Sequence, residues 1–163
     1  MSRLDSAIRR LMAQRACLDL ARDLLAGTPG HVFELGLGNG RTYDHLREQF
    51  PDRGIFVFER KISAHPSCIP DDAHLFLGDV LERLPAVTAR FAGAVALVHA
   101  DIGSGVTEDN RRLAARLSPL LAPLLAPGAL VVSDQQMTLP AATPVALPEG
   151  VASGRYHMAR TAG

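Results

Sequence analysis

His31-Val32-Phe33-Glu34-Leu35-Gly36-Leu37-Gly38-Asn39-Gly40 reads as a buried strand that runs directly into a glycine-rich turn, with an acid one residue before the first glycine pair. Gly27-Thr28-Pro29-Gly30 closes whatever precedes it, and Thr42 to Phe50 continues it as a helix. The stretch is therefore a strand–turn–helix unit. The turn of Pro51-Asp52-Arg53-Gly54 leads to a second apolar run, Ile55–Glu59, whose closing acid stands nineteen residues past Gly40.

The same alternation continues along the chain. Further strands are expected at His74–Leu77, Ala94–Ala100 and Ala129–Ser133, and further helices at Val80–Phe91 and about Glu108–Leu125, the latter capped by Thr107. Pro119 and Pro123 must bend or divide that last helix. The strands are continuous apolar runs, as in a parallel sheet covered on both faces. Strand–helix alternation five times over predicts an α/β fold, a single doubly wound Rossmann-like domain over residues 1–163. Residues 1–28 are an N-terminal helical segment, one or two helices with a stripe of Leu4, Ile8, Leu11, Met12, Cys17, Leu18 and Ala21, started by Ser2 or Asp5. Residues 30–135 are the core. Residues 136–163 are a tail, loop-like through Pro140, Pro144 and Pro148, with a final antiparallel strand expected near 154–160.

Composition narrows the function. At 163 residues with 47% apolar and 21% charged residues the chain can bury one substantial core. A formal net charge of zero gives no footprint for nucleic acid. No run of 18 apolar residues occurs and the Arg-rich start lacks an apolar leader core, so no membrane partner and a cytoplasmic location are expected. Cys17 and Cys68, with no CxxC, exclude a zinc knuckle and fit a reducing compartment.

In an open parallel sheet a ligand sits beyond the carboxyl ends of the strands, where strand order reverses. Glu34, Glu59, Asp79, Asp101 and Asp134 end the five strands in turn. With that acid pattern, Glu34-Leu-Gly-Leu-Gly-Asn-Gly40 resembles the first motif of the class I S-adenosylmethionine (SAM)-dependent methyltransferases, and the resemblance spans about residues 30–135. It implies that Gly36, Leu37, Gly38, Asn39 and Gly40 pass beside the methionine part of SAM, a side chain at the glycines holding the ligand off, and that Glu34 helps position that end. It implies that Glu59, next to Arg60, accepts from the ribose hydroxyls. Gly78-Asp79-Val80 resembles the third motif, with Asp79 taking the adenine amino group and the Val80 N–H donating to the ring. A dinucleotide fingerprint is the competing reading of the loop, but it needs GxGxxG and a pyrophosphate at the helix start. Here the third glycine comes one residue early, Arg41 follows it, and Glu34 would repel a phosphate.

Methyl transfer needs alignment and a base, and the resemblance supplies no universal catalytic residue. Asp101, beside the switch point, is the candidate for catalysis and also for cofactor contact. Asp101 with Asp134-Gln135 is similar to the acid pair that holds a divalent cation in catechol-type O-methyltransferases, though Gln replaces Asn. Mg²⁺ is therefore the lesser reading and a metal-free site the preferred one. His99, inside a buried strand, is expected to be a hydrogen-bonded core residue. Arg41 and Tyr43 could reach cofactor or acceptor. The resulting expectation is a SAM-dependent methyltransferase acting on a small molecule. The alternative is a non-catalytic SAM- or nucleoside-binding module. The short chain leaves only the N-terminal segment and tail to cover the site, which makes room for a homodimer.

Overall fold

The computed structural model describes residues 2–163. Its elements are α1 (Arg3–Leu24), β1 (His31–Leu35), α2 (Arg41–Gln49), β2 (Ile55–Glu59), β3 (Leu75–Leu77), α3 (Val80–Phe91), β4 (Val95–Ala100), α4 (Thr107–Leu121), β5 (Leu125–Ser133), β6 (Thr143–Pro144) and β7 (His157–Arg160), with 3₁₀ turns at Pro66–Cys68 and Ala122–Leu124. The strands form one sheet in the order β3-β2-β1-β4-β5-β7-β6. β1 to β5 are parallel and β7 runs antiparallel between β5 and β6. Chain order runs outward from β1 to β3 in one direction and from β4 to β5 in the other, so the switch point lies between β1 and β4.

Strand alternation divides the core into two layers. Val32, Val57, Leu97, Leu130, Val132 and Met158 face α1 and α2, where Cys17, Leu18, Ala21 and Leu46 cover them. Phe33, Phe56, Phe58, Val98 and Val131 face α3 and α4, against Leu84, Phe91, Leu117 and Leu121. The second layer carries an aromatic cluster, with Phe33 5.1 Å and Phe56 4.6 Å from Phe91.

The N-terminal segment is one helix. Ser2 starts it with a capping box: its hydroxyl accepts from the Asp5 N–H at 3.0 Å and the Asp5 carboxylate takes the Ser2 N–H at 3.1 Å. The expected apolar stripe is buried only in its second half. Leu4, Ile8 and Met12 are exposed. The cause is length: 22 residues of helix span about 33 Å, whereas the five residues of β1 span about 17 Å, so the first turns of α1 stand beyond the carboxyl ends of the strands.

The larger differences from the sequence reading lie at α4, β5 and the tail. Thr107 is the first residue of α4 and not its cap, which is Val106. The helix carries Pro119 within its last turn, at the cost of the N–H bond to the Ala115 carbonyl, and gives way to the 3₁₀ turn at Pro123. β5 begins at Leu125, before Pro127-Gly128, because a register shift against β4 absorbs the proline: Leu125 pairs with Val95, and pairing resumes at Leu130 with Leu97. The tail holds β6 where only loop was expected, a two-residue strand that β7 recruits.

Candidate active site

The alternation that builds the α1 layer also sorts the polar residues. Val32 and Glu34, Leu97, His99 and Asp101, and Leu130, Val132 and Asp134 each step by two, so all four titratable groups point to the side of α1. Glu34 and His99 are direct register partners of β1 and β4. Both are fully buried, with His99 Nδ1 2.6 Å from a Glu34 carboxylate oxygen. The other Glu34 oxygen accepts from the Thr42 hydroxyl in the first turn of α2. His99 Nε2 lies 3.1 Å from the Tyr156 hydroxyl, just before β7. Burial disfavours charge on His99, but the Glu34 carboxylate, with Asp101 and Asp134 behind it, outweighs burial and raises its pKa. Burial pushes the Tyr156 phenol up, so it stays protonated.

Asp101 follows β4 at the mouth of this layer. Gln14 of α1 donates to its carboxylate, and Arg10, one turn earlier, stands 3.6 Å from the same oxygen. Burial and the Asp134 charge raise the Asp101 pKa, with Arg10 opposing. Asp134 accepts at one oxygen from the Gly103 N–H at 3.0 Å and the Gln135 amide at 3.1 Å, while its other oxygen is buried with no partner. Asp101 and Asp134 line a cleft of about 620 Å³ bounded by Arg10 on α1 and by the turn at 152–156. Among the described residues no group of three or more His, Cys, Asp or Glu is placed to hold a metal ion.

The glycine loop lies beside this cleft. Its three glycines have left-handed φ, yet they differ in surroundings. A Cβ on Gly36 would stand 2.4 Å from the Ile102 Cγ2, and one on Gly40 would stand 2.4 Å from the Cys68 Cβ. A Cβ on Gly38 would meet nothing within 4 Å. Close approach to a ligand can therefore explain Gly38, while Gly36 and Gly40 make room for the protein's own chain. Glu59 binds the loop directly. One carboxylate oxygen accepts from the Leu37 and Gly38 N–H groups at 2.7 and 3.1 Å, the other from Arg60 and Lys61 at 2.6 and 3.0 Å. Burial acts to raise this carboxyl, but the four N–H donors win and hold it below the usual carboxylate range. Asp79 caps α3 through the Leu81 N–H at 2.9 Å, and its second oxygen faces the exposed Arg60 guanidinium at 3.7 Å.

Residues 1–161 match the model of a family described as S-adenosyl-L-methionine methyltransferase. The chain belongs to this family. The methyltransferase is also similar to a solved S-adenosyl-L-methionine methyl transferase from Silicibacter pomeroyi DSS-3, at 48% identity over 98% of each chain with a TM-score of 0.93. More distant structures share the fold alone. One is provisionally named a caffeoyl-CoA O-methyltransferase, from Staphylococcus aureus (13% identity, 88% of this chain and 82% of that one, TM-score 0.58). Another is a 16S rRNA (adenine(1408)-N(1))-methyltransferase mutant with cosubstrate SAM from Catenulisporales acidiphilia (13% identity, 89% and 91%, TM-score 0.50). None of the curated proteins matches the sequence.

The methyltransferase's residues fit its cofactor. Gly38 opens onto free space, the second Asp79 oxygen has only an exposed arginine near it, and the acids at the strand ends suit a ligand that carries a sulfonium cation and no phosphate. Two expectations are corrected. Glu34 is fully buried between His99 and Thr42, so it presents no accessible acceptor to a ligand. Tyr43 is buried against the α1 layer, while Arg41 is exposed and donates to Asn39 of the loop at 3.5 Å. His99 is the hydrogen-bonded core residue its strand implied. Gln14 was missed, and Tyr156, on the expected last strand, was not placed against the site. Gln14 had a signal, a polar residue three after Leu11 and four before Leu18 on the apolar face of a helix. Tyr156 had none, because only the tail's return beside β5 carries it to His99.

Proposed function

We propose that the methyltransferase acts on a small molecule held over Asp101 and Asp134. The observation that carries this reading is the cleft, which adjoins the glycine loop through Ile102 and is closed in by α1 and by the turn at 152–156. Its volume, about 620 Å³, lies in the range of small-ligand sites. The chain's net charge of zero offers nothing to a polynucleotide backbone. SAM, held by the 36–40 loop, Glu59 with Arg60, and Gly78–Val80, supplies an electrophilic methyl group when bound. Asp101 accepts the proton that the acceptor's nucleophile must lose, since burial and Asp134 give it more basicity than an ordinary carboxylate. Gln14 and Arg10 fix its orientation. No metal takes part in this reading.

Incubation with SAM labelled in its methyl group, against metabolite extracts and against total RNA, tests it. Label is expected in a small product, unchanged by EDTA. Label found only in RNA overturns the reading. The exposed Leu4, Ile8 and Met12 edge of α1 favours a homodimer, which sedimentation of the full chain checks. The free thiols of Cys17 and Cys68 suit the cytoplasm, which cell fractionation checks.

A further inference from the structure

The walls of the acceptor cleft select a chemical class. Leu, Ile, Val, Phe and Met are absent from its lining, and Ala152 is its one aliphatic side chain. An aromatic or acyl acceptor would find only the Tyr156 ring and Ala152 as apolar wall there, although small-molecule sites that take such groups are lined mainly by apolar side chains. A second groove, about 330 Å³ between α1 and α2, does have such walls in Ile8, Leu11, Met12 and Leu18, but Asp101 is not among them.

Two groups in the polar cleft lack partners. One is the buried Asp134 oxygen, an acceptor with no donor within hydrogen-bond distance. The other is Arg155. Its backbone N–H closes the turn to Ala152, while the side chain of this half-buried residue makes no hydrogen bond or ion pair among the described residues. Asp101 accepts from the Gln14 amide and stands 3.6 Å from the half-exposed Arg10, a long contact that a competing cation can replace. The cleft therefore offers two carboxylates on the sheet side and an unpaired guanidinium on the tail side. A guanidinium recognises a carboxylate by a fork of two N–H donors, and paired carboxylates recognise an ammonium group.

We propose that the acceptor is a small zwitterion of amino-acid type, its ammonium group on Asp101 and Asp134 and its carboxylate on Arg155. This rests on the small-molecule reading above and narrows it.

The experiment is calorimetric titration of the full chain saturated with S-adenosylhomocysteine. The probes are the twenty standard amino acids, 4-aminobutyrate and 5-aminovalerate, with butyrate, butylamine, catechol and MgCl₂ as comparators. At least one zwitterion is expected to bind ten times or more tighter than butyrate and butylamine. Arg155→Met, which breaks no contact in the fold, should reduce that zwitterion's affinity at least tenfold and leave butylamine unchanged. Asp134→Asn should do the reverse, weakening the zwitterion and butylamine while sparing butyrate. Binding of catechol or of Mg²⁺ with no zwitterion bound overturns the proposal but leaves small-molecule transfer standing. An Arg155→Met variant that holds the zwitterion as tightly as the native chain also overturns it. Labelling confined to RNA, with none of the probes bound, overturns both readings.

Discussion

Glu34 and His99 face each other as register partners on adjacent strands, fully buried and 2.6 Å apart, at the point where strand order reverses. Removing one partner leaves the other unsatisfied in the core. His99→Leu is expected to lower stability by about 3–5 kcal/mol, and His99→Gln, which keeps an N–H donor, by clearly less. Urea unfolding measures both, and equal losses would show that the pairing does not matter. The pH dependence follows from the raised His99 pKa. The folded state holds the proton more tightly than the unfolded chain, so the contribution is complete below the unfolded value of about 6.5 and is lost as pH rises through the folded value. The native protein should lose stability on that alkaline side, and His99→Gln should lack the slope.

The Glu59 carboxylate ties the glycine loop to the end of β2 by accepting from Leu37 and Gly38. Glu59→Ala should weaken SAM binding by about 1–3 kcal/mol, the loss expected for a charge-assisted acceptor. It should also speed amide exchange at Leu37 and Gly38. Its depressed pKa adds a sign: the contribution is present above the unfolded value, about 4.3, and fades as pH falls through the lower folded one. Unchanged SAM affinity in calorimetry would remove Glu59 from the ribose site, while unchanged exchange would remove it from the loop.

How these residues would meet was partly legible in the chain. Continuous apolar runs and acids after each strand were enough for the sheet, its switch point and the identity of the loop, because strand periodicity and glycine geometry are local. Stepping by two from Leu97 and Leu130 would also have put His99, Asp101 and Asp134 on one face. What alternation could not give is the third dimension. Tyr156 reaches His99 only because β7 inserts antiparallel beside β5, with Ser133 opposite His157. The overshoot of α1, which brings Arg10 to Asp101 and exposes Leu4, depends on where the helix sits along the sheet, and no residue of the helix records that.

The loop glycines separate packing from binding. Gly36→Ala places a methyl group against Ile102 at a φ of +90° and should cost about 2 kcal/mol or more of stability. Gly38→Ala, at a φ of +52° with open space around it, should cost only about 1 kcal/mol. Its methyl group would instead stand where the loop meets the cofactor, so SAM affinity should fall more than stability does. Thermal unfolding with and without SAM reads both. A Gly38→Ala protein that binds SAM normally would show that the ligand does not approach this turn.

Asp101 can take a proton only when ionised, so the acid limb of kcat/KM should lie above the range of an ordinary carboxylate, about 3.9. Burial and the Asp134 charge are what raise it, and Arg10 pulls the other way. The two neighbours therefore predict opposite displacements. Asp134→Asn removes a negative charge and should move the limb to lower pH, whatever it does to the maximal rate. Arg10→Ala removes a positive charge and should move it to higher pH. Asp101→Asn should reduce kcat by about 10²–10⁴-fold, the usual contribution of a positioned base. A merely structural Asp101 would give a limb that neither neighbour moves, and a different group would then have to take the proton.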